Sequence, residues 1–349
     1  MWFLHKKSQP IEEYAIILAM KVSELGEFGL IDLLDKMIAD AQINKASPDL
    51  LIGIGDDTAA WKCTEQVQLA TVDTMVQDIH FTLETISWEE LGWKSLAINI
   101  SDIAAMGGLP HYALVALALP DNTESEDIAG LYRGMIDIAR QYKVAIAGGN
   151  ISRASRVSVT VTVLGGCPDN KILRRSTAKS GDTIAVTGYA GSAAAGLEML
   201  KKKLAFRSKI TGYLKNAFLH PVPRIEEGRL LVKHGITTAI DTSDGLLADL
   251  RHICEASGVG AKVITDLIPV NEIVKASFKQ KALELALGGG EDYELLFTGN
   301  ARNIAKIRQV IKCPVTVIGE IVKSTPGKIE LFDAGGNPVK TGRTGWTHF

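Results

Sequence analysis

The acidic residues of this 349-residue chain recur in one setting, at the ends of apolar runs and beside glycines. Gly53-Ile54-Gly55-Asp56-Asp57 comes first, and Asp73 closes the strand-like run after it. Asp102 falls inside an apolar helical pattern. Asp241 and Asp244 bracket the turn Ile240-Asp241-Thr242-Ser243-Asp244-Gly245, and Glu291-Asp292 follow Gly288-Gly289-Gly290. Carboxylates brought to one place repel each other unless they share a proton or bind a cation. Oxygen ligands select a hard cation. Magnesium takes one or two carboxylates together with waters and substrate phosphates, so acids dispersed over several loops suit a magnesium nucleotide better than a calcium cage. Taken singly, Gly-Asp-Asp is equally a solvated turn, because both residues favour turns for local reasons. The repetition of the setting is what points to a metal site.

A formal net charge of −2 carries no electrostatic footprint for nucleic acid or an anionic membrane. A small anionic substrate would therefore be held by metal and local donors. The length suggests two domains, and an apolar fraction of 46% supplies their cores. No apolar run reaches the roughly 18 residues needed to span a bilayer. Cys63, Cys167, Cys254 and Cys313 are widely separated, with no C-x-x-C pair, which argues against a zinc site or redox dithiol. They are expected to be buried small hydrophobes of a reducing, cytoplasmic compartment. Residues 1–22 read as an appended extension. The apolar patch at 15–20 is short and preceded by Glu12 and Glu13, a poor signal peptide, and Met20 is an alternative start.

The elements that must position the acids follow from periodicity. Leu30, Ile31, Leu33, Leu34, Met37 and Ile38 recur at helical spacing. The run 67–73 reads as a strand that delivers Asp73 at its end, ahead of a loop with Asp78, His80 and Phe81. A lone histidine in such a place is a structural residue as readily as a functional one. A helix over 88–106, stopped by Gly107-Gly108, sets Leu91, Ser95, Ile98, Asp102 and Ala105 on one face. Asp102 is thereby expected where water is scarce, a costly position without a cation or several donors.

A strand at 111–119, an amphipathic helix at 125–142, a short strand at 144–147, a glycine turn at Gly148-Gly149-Asn150 and a strand at 157–164 predict a mixed α/β, or α+β, first domain. Gly165-Gly166-Cys167-Pro168 marks the join. Beyond it, a strand at 184–187, the loop Gly188-Tyr189-Ala190-Gly191-Ser192 and a small-residue helix have the shape of an anion site at a helix N-terminus. The same glycines and alanines would equally serve close packing, and the loop is neither a Walker nor a Rossmann motif. A helix to about residue 234, a strand at 237–241, a helix at 246–257 capped by Ser243-Asp244-Gly245, a helix near 278–287, a strand at 293–297, a helix at 302–311 and strands at 315–318 and 328–332 complete a second α/β domain.

In order along the chain, Gly26-Glu27-Phe28, Gly53-Ile54-Gly55-Asp56-Asp57, Asp73 with His80-Phe81, Asn99-Ile100-Ser101-Asp102, Gly148-Gly149-Asn150, Arg175-Ser176, Asp241-Thr242-Ser243-Asp244-Gly245, Gly289-Gly290-Glu291-Asp292-Tyr293-Glu294-Leu295 and Gly345-Trp346 form a set. This set resembles the thiamine-monophosphate kinase family, within the aminoimidazole-ribonucleotide-synthetase-like superfamily, over nearly all of the chain from Glu24 onward. Each motif alone is weak, but their order is specific. The resemblance implies a two-domain α/β architecture with mixed sheets. Residues 23–167 would bind ATP and magnesium and form a homodimer through their sheet, residues 168–349 would form the C-terminal domain, and the nucleotide would be held by parts of both. It implies ATP-dependent phosphorylation of thiamine monophosphate to thiamine diphosphate, the last step in making that cofactor, by in-line transfer with Mg2+. By position, Asp57, Thr71, Asp73, Asp102, Asp241 and Asp244 match metal ligands. Gly149, Asn150, Arg175 and Ser243 match ATP contacts, and His80, Glu291 and Trp346 match substrate contacts.

Phosphoryl transfer between two anions needs alignment and charge neutralisation more than covalent chemistry, which agrees with many acids and no evident nucleophile. Within the superfamily the rivals are aminoimidazole ribonucleotide synthetase, selenophosphate synthetase and the hydrogenase-maturation dehydratase. The last uses a C-terminal cysteine, and the second a reactive cysteine near the N-terminus; this chain ends in Trp346-Thr347-His348-Phe349 and its first cysteine is Cys63. A rival of another class is a non-catalytic nucleotide or thiamine-phosphate sensor. One departure stands out: many family members carry aspartate after the paired glycines, where this chain has Asn150, a neutral group that can still coordinate or hydrogen-bond. Asn150→Asp is expected to lower the magnesium concentration for half-maximal rate; an unchanged metal dependence would place residue 150 away from any metal.

Overall fold

The computed structural model describes residues 18–54, 58–63, 67–168, 171–342 and 345. They form two compact units.

In the first unit, helix α1 (Val22–Ala41) buries Leu30, Leu33, Leu34, Met37 and Ile38 as the periodicity requires. The extension is tied down at its end, because the Met20 carbonyl accepts from the Ser125 backbone N–H at 2.8 Å and from Ser125 Oγ at 2.6 Å. A two-stranded sheet, β1 (Leu50–Ile52) with β2 (Ala60–Trp61), follows. The Trp61 ring stacks on Tyr112 with centroids 4.9 Å apart. The main sheet draws on β3 (Val67–Val76), β4 (Leu109–Leu119), β5 (Ala145–Arg153) and β6 (Ser158–Cys167), in the order β3-β6-β4-β5. Helices α2 (Trp88–Ala105) and α3 (Ser125–Tyr142) complete this half of the chain.

Two expectations are corrected here. Asp73 does not end its strand, since β3 runs on to Val76. The glycine turn is absent as well: β5 passes straight through Gly148, Gly149 and Asn150, parallel to β4, with Gly149 opposite Val115 and Asn150 opposite Ala116. The register shifts at Ala113/Leu114, leaving Ala147 as an extra residue. A Cβ on Gly149 would lie 1.9 Å from the Val115 carbonyl oxygen. The glycine that reads as a turn signal is a point of backbone contact instead.

The second unit contains the chain from Gly165 onward, and also residues 97–110 and the described part of 65–71. A boundary drawn in chain order does not express those two segments. Its strands are β7 (Thr183–Thr187), β8 (Thr238–Asp241), β9 (Gly260–Ile264), β10 (Leu295–Gly299), β11 (Val315–Val322) and β12 (Ile329–Phe332). They form one sheet in the order β12-β9-β11-β7-β10-β8, antiparallel except for β12 with β9. The helices are α4 (Ser192–Lys201), α5 (Ser208–Leu219), α6 (Ile225–Lys233), α7 (Leu246–Ser257), α8 (Glu272–Phe278), α9 (Lys281–Gly288) and α10 (Ala301–Val310).

Alternation along the strands assigns each side chain to a layer. Val186, Ile240 and Leu296 join Leu247 and Leu250 of α7 and Leu285 of α9 in one core. Their neighbours Ala185, Ala239, Leu295 and Phe297 join Leu231 of α6 and Ile304 and Ile307 of α10 in the other. Both faces of the sheet are thus covered, which explains continuous apolar strands. The helix expected near 278–287 is α9, and a further helix, α8, precedes it, the two separated where Lys279 takes φ 48. Helix α5 was not anticipated, although Ile210, Leu214 and Phe218 carry its four-residue spacing. Among the described residues, no helix is long and apolar enough to cross a membrane. The cysteines are not uniformly buried: Cys63 is exposed and Cys313 half-buried.

Gly149→Ala is expected to destabilise the protein by about 1–3 kcal/mol through overpacking, seen as a lower urea midpoint. An unchanged midpoint would mean that β4 and β5 are not so close.

Candidate active site

The end of helix α2 that belongs to the second unit carries two polar residues in succession. Ser101 Oγ donates to Asp241 Oδ2 at 2.7 Å, and Asp102 Oδ2 accepts from Thr71 Oγ1 at 2.5 Å. Asp241 is the last residue of β8 and only 2% exposed. Burial, with the neighbouring Asp102 charge, pushes its carboxyl up to about 7, against the Ser101 hydrogen bond and the Arg175 cation. Burial also raises Asp102, opposed by the Thr71 hydrogen bond and Arg175. A cavity of about 470 Å³ opens beside this pair, lined by Thr71, Asp102, Arg174, Arg175 and Ser176 among others. Thr71, Asp102, Asp241 and Arg175, four of the residues singled out in the sequence, therefore share one place.

The chain leaves β8 through Thr242 and Ser243 to Asp244 and α7. The expected cap of α7 by the Ser243-Asp244-Gly245 turn is corrected: Gly245 is the N-cap residue and no side chain of its own caps the helix. Asp249, one turn in, reaches back to accept the Gly245 N–H at 3.1 Å. Asp244, Asp249 and His252 bring their ligand atoms within 4.8 Å of one another. Burial holds Asp249 well above the ordinary carboxylate range, and the charges of Asp241 and Asp244 add to it. Asp249 and His252 were missed in the sequence. Their signal was the spacing of three that stacks them on one helix face just after Asp244.

These donors suit a hard divalent cation. Burial penalises the unneutralised charges of Asp102, Asp241 and Asp249, Asp244 adds a half-buried carboxylate beside Asp249, and Thr71 adds a hydroxyl.

The glycine loop before α4 resolves differently from an anion site. Asp292 Oδ2 accepts the Gly191 N–H at 2.6 Å and Oδ1 the Ala193 N–H at 2.9 Å. The chain thus supplies its own carboxylate to that helix N-terminus. Burial pushes Asp292 up to about 7 even against those donors. Two residues on, Glu294 accepts from Arg224 Nε at 2.7 Å and Nη2 at 2.5 Å, and from Thr187 Oγ1 at 2.6 Å. Ser243 and Glu291, expected to meet ATP and the substrate, are joined directly, the Glu291 N–H donating to the Ser243 carbonyl at 2.8 Å.

The remaining expected residues belong to the first unit or lie outside the described residues. Asp73 is half-buried and two residues after Thr71 on β3, on the same strand face. His80 Nδ1 accepts the Val76 N–H at 3.0 Å, which puts the proton of a neutral ring on Nε2. Gly149 and Asn150 are exposed on β5. Asp57 and Trp346 are not among the described residues.

Two family models match the chain: AIR synthase related protein, N-terminal domain, over residues 55–167, and AIR synthase related protein, C-terminal domain, over residues 179–331. Both halves of the chain thus define an AIR-synthase-related protein. The thiamine-monophosphate kinase of Bacillus subtilis (strain 168) is 38% identical over 315 residues, covering 88% of this chain and 94% of its own length. A crystal structure of thiamine-monophosphate kinase from Stenotrophomonas maltophilia K279a superposes with a TM-score of 0.78 at 32% identity, covering 88% of this chain and 96% of that one. AaThiL complexed with AMPPCP and TMP superposes at 0.73 and 32% identity, covering 95% and 99%. The chain belongs to the thiamine-monophosphate kinase family.

The buried acids link folding to pH. Between the ordinary aspartate value of about 4 and about 7, folded Asp241 keeps a proton that the unfolded chain has lost. Stability of the metal-free protein therefore falls as pH rises through that window; Asp249 and Asp292 act in the same direction. The melting temperature without divalent metal is expected to decline from about pH 4 to about pH 7. Magnesium should restore it most at the upper end, and Asp241→Asn should flatten the metal-free profile.

Proposed function

We propose that this protein transfers the γ-phosphoryl group of ATP to the phosphate of thiamine monophosphate, giving thiamine diphosphate and ADP. The observation that carries the reading is the Asp102–Asp241 pair, with Thr71, Ser101 and Arg175, beside one cavity. Membership of the thiamine-monophosphate kinase family supports it, as does the likeness to a relative solved with AMPPCP and TMP.

Asp102, Asp241 and Asp244 would hold magnesium with Thr71, and Asp57 and Asp73 are assigned the same task on the strength of the family motif. Bound magnesium supplies neutralisation of the phosphate oxygens between which the phosphoryl group passes. The chain's own part is to bind and align. The hydroxyl protons of Thr71 and Ser101 are committed to carboxylates, so neither side chain is set up as a nucleophile. The acceptor phosphate is already an anion and needs no strong base. Arg175, exposed at the cavity rim, is assigned to the nucleotide with Ser243, Gly149 and Asn150, while Glu291, His80 and Trp346 are assigned to the thiamine end. The proposal extends to a cytoplasmic homodimer formed through the first unit's sheet, where Val72 is 59% exposed.

One coupled assay tests this, comparing thiamine, thiamine monophosphate and an aminoimidazole precursor as acceptors. ADP formation is expected with thiamine monophosphate alone, and Asp241→Asn should lower kcat by about 100-fold or more. Nucleotide binding without turnover on any of the three would instead indicate a sensor.

A further inference from the structure

The turn that carries Glu291 is held in an unusual way. Gly290, Glu291 and Tyr293 have φ of 68, 63 and 51, and for the two that are not glycine this left-handed backbone persists only when the surroundings over-determine it. The surroundings do so from both sides. Toward the metal-loop side, the Glu291 N–H donates to the Ser243 carbonyl at 2.8 Å, the Tyr293 N–H to the Thr242 carbonyl at 3.0 Å and the Thr242 N–H to the Glu294 carbonyl at 2.8 Å. The Glu294 N–H donates to Thr242 Oγ1 at 3.0 Å. Residue 290 must be small, because a Cβ there would lie 2.6 Å from the Ser243 carbonyl oxygen. From the opposite side, Asp292 turns away from its neighbours and receives the Gly191 and Ala193 N–H groups, at 2.6 and 2.9 Å.

Adjacent residues are thus tied to two places: the Asp292 side chain to the start of α4, and the Glu291 backbone to the loop between Asp241 and Asp244. We infer that Asp292 is a positioning residue, which fixes Glu291 relative to the Asp241-to-Asp244 loop by anchoring the turn to the N-terminal amides of α4, and so sets where the thiamine end of the substrate lies. The inference rests on the reading that Glu291 contacts that substrate. It assigns the helix N-terminus a role in aligning the acceptor, through the Asp292 carboxylate that its amides hold. Glu294, clamped by Arg224 and Thr187, closes the far end of the turn, and the Asp292 carboxylate is the side-chain fastening beside Glu291.

A double-mutant cycle on the full-length enzyme separates this from a general structural role. Asp292→Ala is expected to raise KM for thiamine monophosphate by about tenfold while KM for ATP moves by less than about twofold. Asp292→Asn, which keeps one acceptor oxygen, should fall between it and the native enzyme. If the turn acts through Glu291, Asp292→Ala adds nothing to the KM of a Glu291→Ala enzyme. Equal rises in both KM values, or fully additive effects, overturn the inference. So does a Glu291→Ala enzyme with raised KM beside an Asp292→Ala enzyme with none. A Glu291→Ala enzyme with native KM overturns the substrate role of Glu291 and the inference together. Should Asp292→Ala fail to fold, the same comparisons are made with Asp292→Asn.

Discussion

A negative charge that cannot reach water must be neutralised, and the second unit is arranged around that requirement. Asp241 is almost fully buried beside Asp102, and burial and mutual repulsion both favour the protonated form. Two hydroxyls and one guanidinium oppose them without removing the problem. A protein stabilised by packing alone would have no use for such a pair, since apolar residues of similar size would be at least as stable. The arrangement makes sense when a cation replaces the proton, which is why the acids, although far apart in sequence, read as a metal site.

The sheet of the second unit is what brings them together. Asp241 ends the edge strand β8, opposite Leu295 of β10, so the loop after one strand and the turn before the other are neighbours by register. Hydrogen bonds between Thr242-Ser243 and residues 291–294 then lace the two into a single piece of backbone. Around it, Glu294 is fixed by Arg224 and Thr187 and Asp292 by α4. A buried Arg–Glu pair is weak evidence for stability, but a bidentate pair at a turn with left-handed residues restricts where that turn can go.

Much of this was legible in the sequence, and the exceptions have particular causes. Helices at 125–142 and 246–257 carry full amphipathic periods and are found at those limits. Asp73, Asp102, Asp241 and Asp244 could be grouped because their setting repeats. Gly148-Gly149 was misread because glycine marks both turns and close strand contacts, and only the Val115 carbonyl opposite it decides between them. Asp249 and His252 were overlooked because their spacing is equally that of a solvated helix face. A buried helical acid looks like a surface acid until the loop after β8 folds beside it. Residues 97–110 read as part of the interior of a first domain running to residue 167, yet group with the second unit, since contact order in space is not order in sequence.

The fate of the glycine loop before α4 bears on how phosphate is recognised. A free helix N-terminus attracts anions through unpaired amides and the helix dipole, and from its sequence this was the most evident such site in the chain. Asp292 fills it from within. A phosphate competing there would have to displace a carboxylate that also fastens the Glu291 turn, and the displacement would loosen the turn as it bound. Phosphate recognition in this unit must therefore rest elsewhere. The cavity beside Asp102 and Asp241, with Arg174 and Arg175 on its wall, has the cationic groups and the acids to hold a metal-bound nucleotide without a Walker lysine. The helix N-terminus is then taken by Asp292 and fastens the turn that carries Glu291.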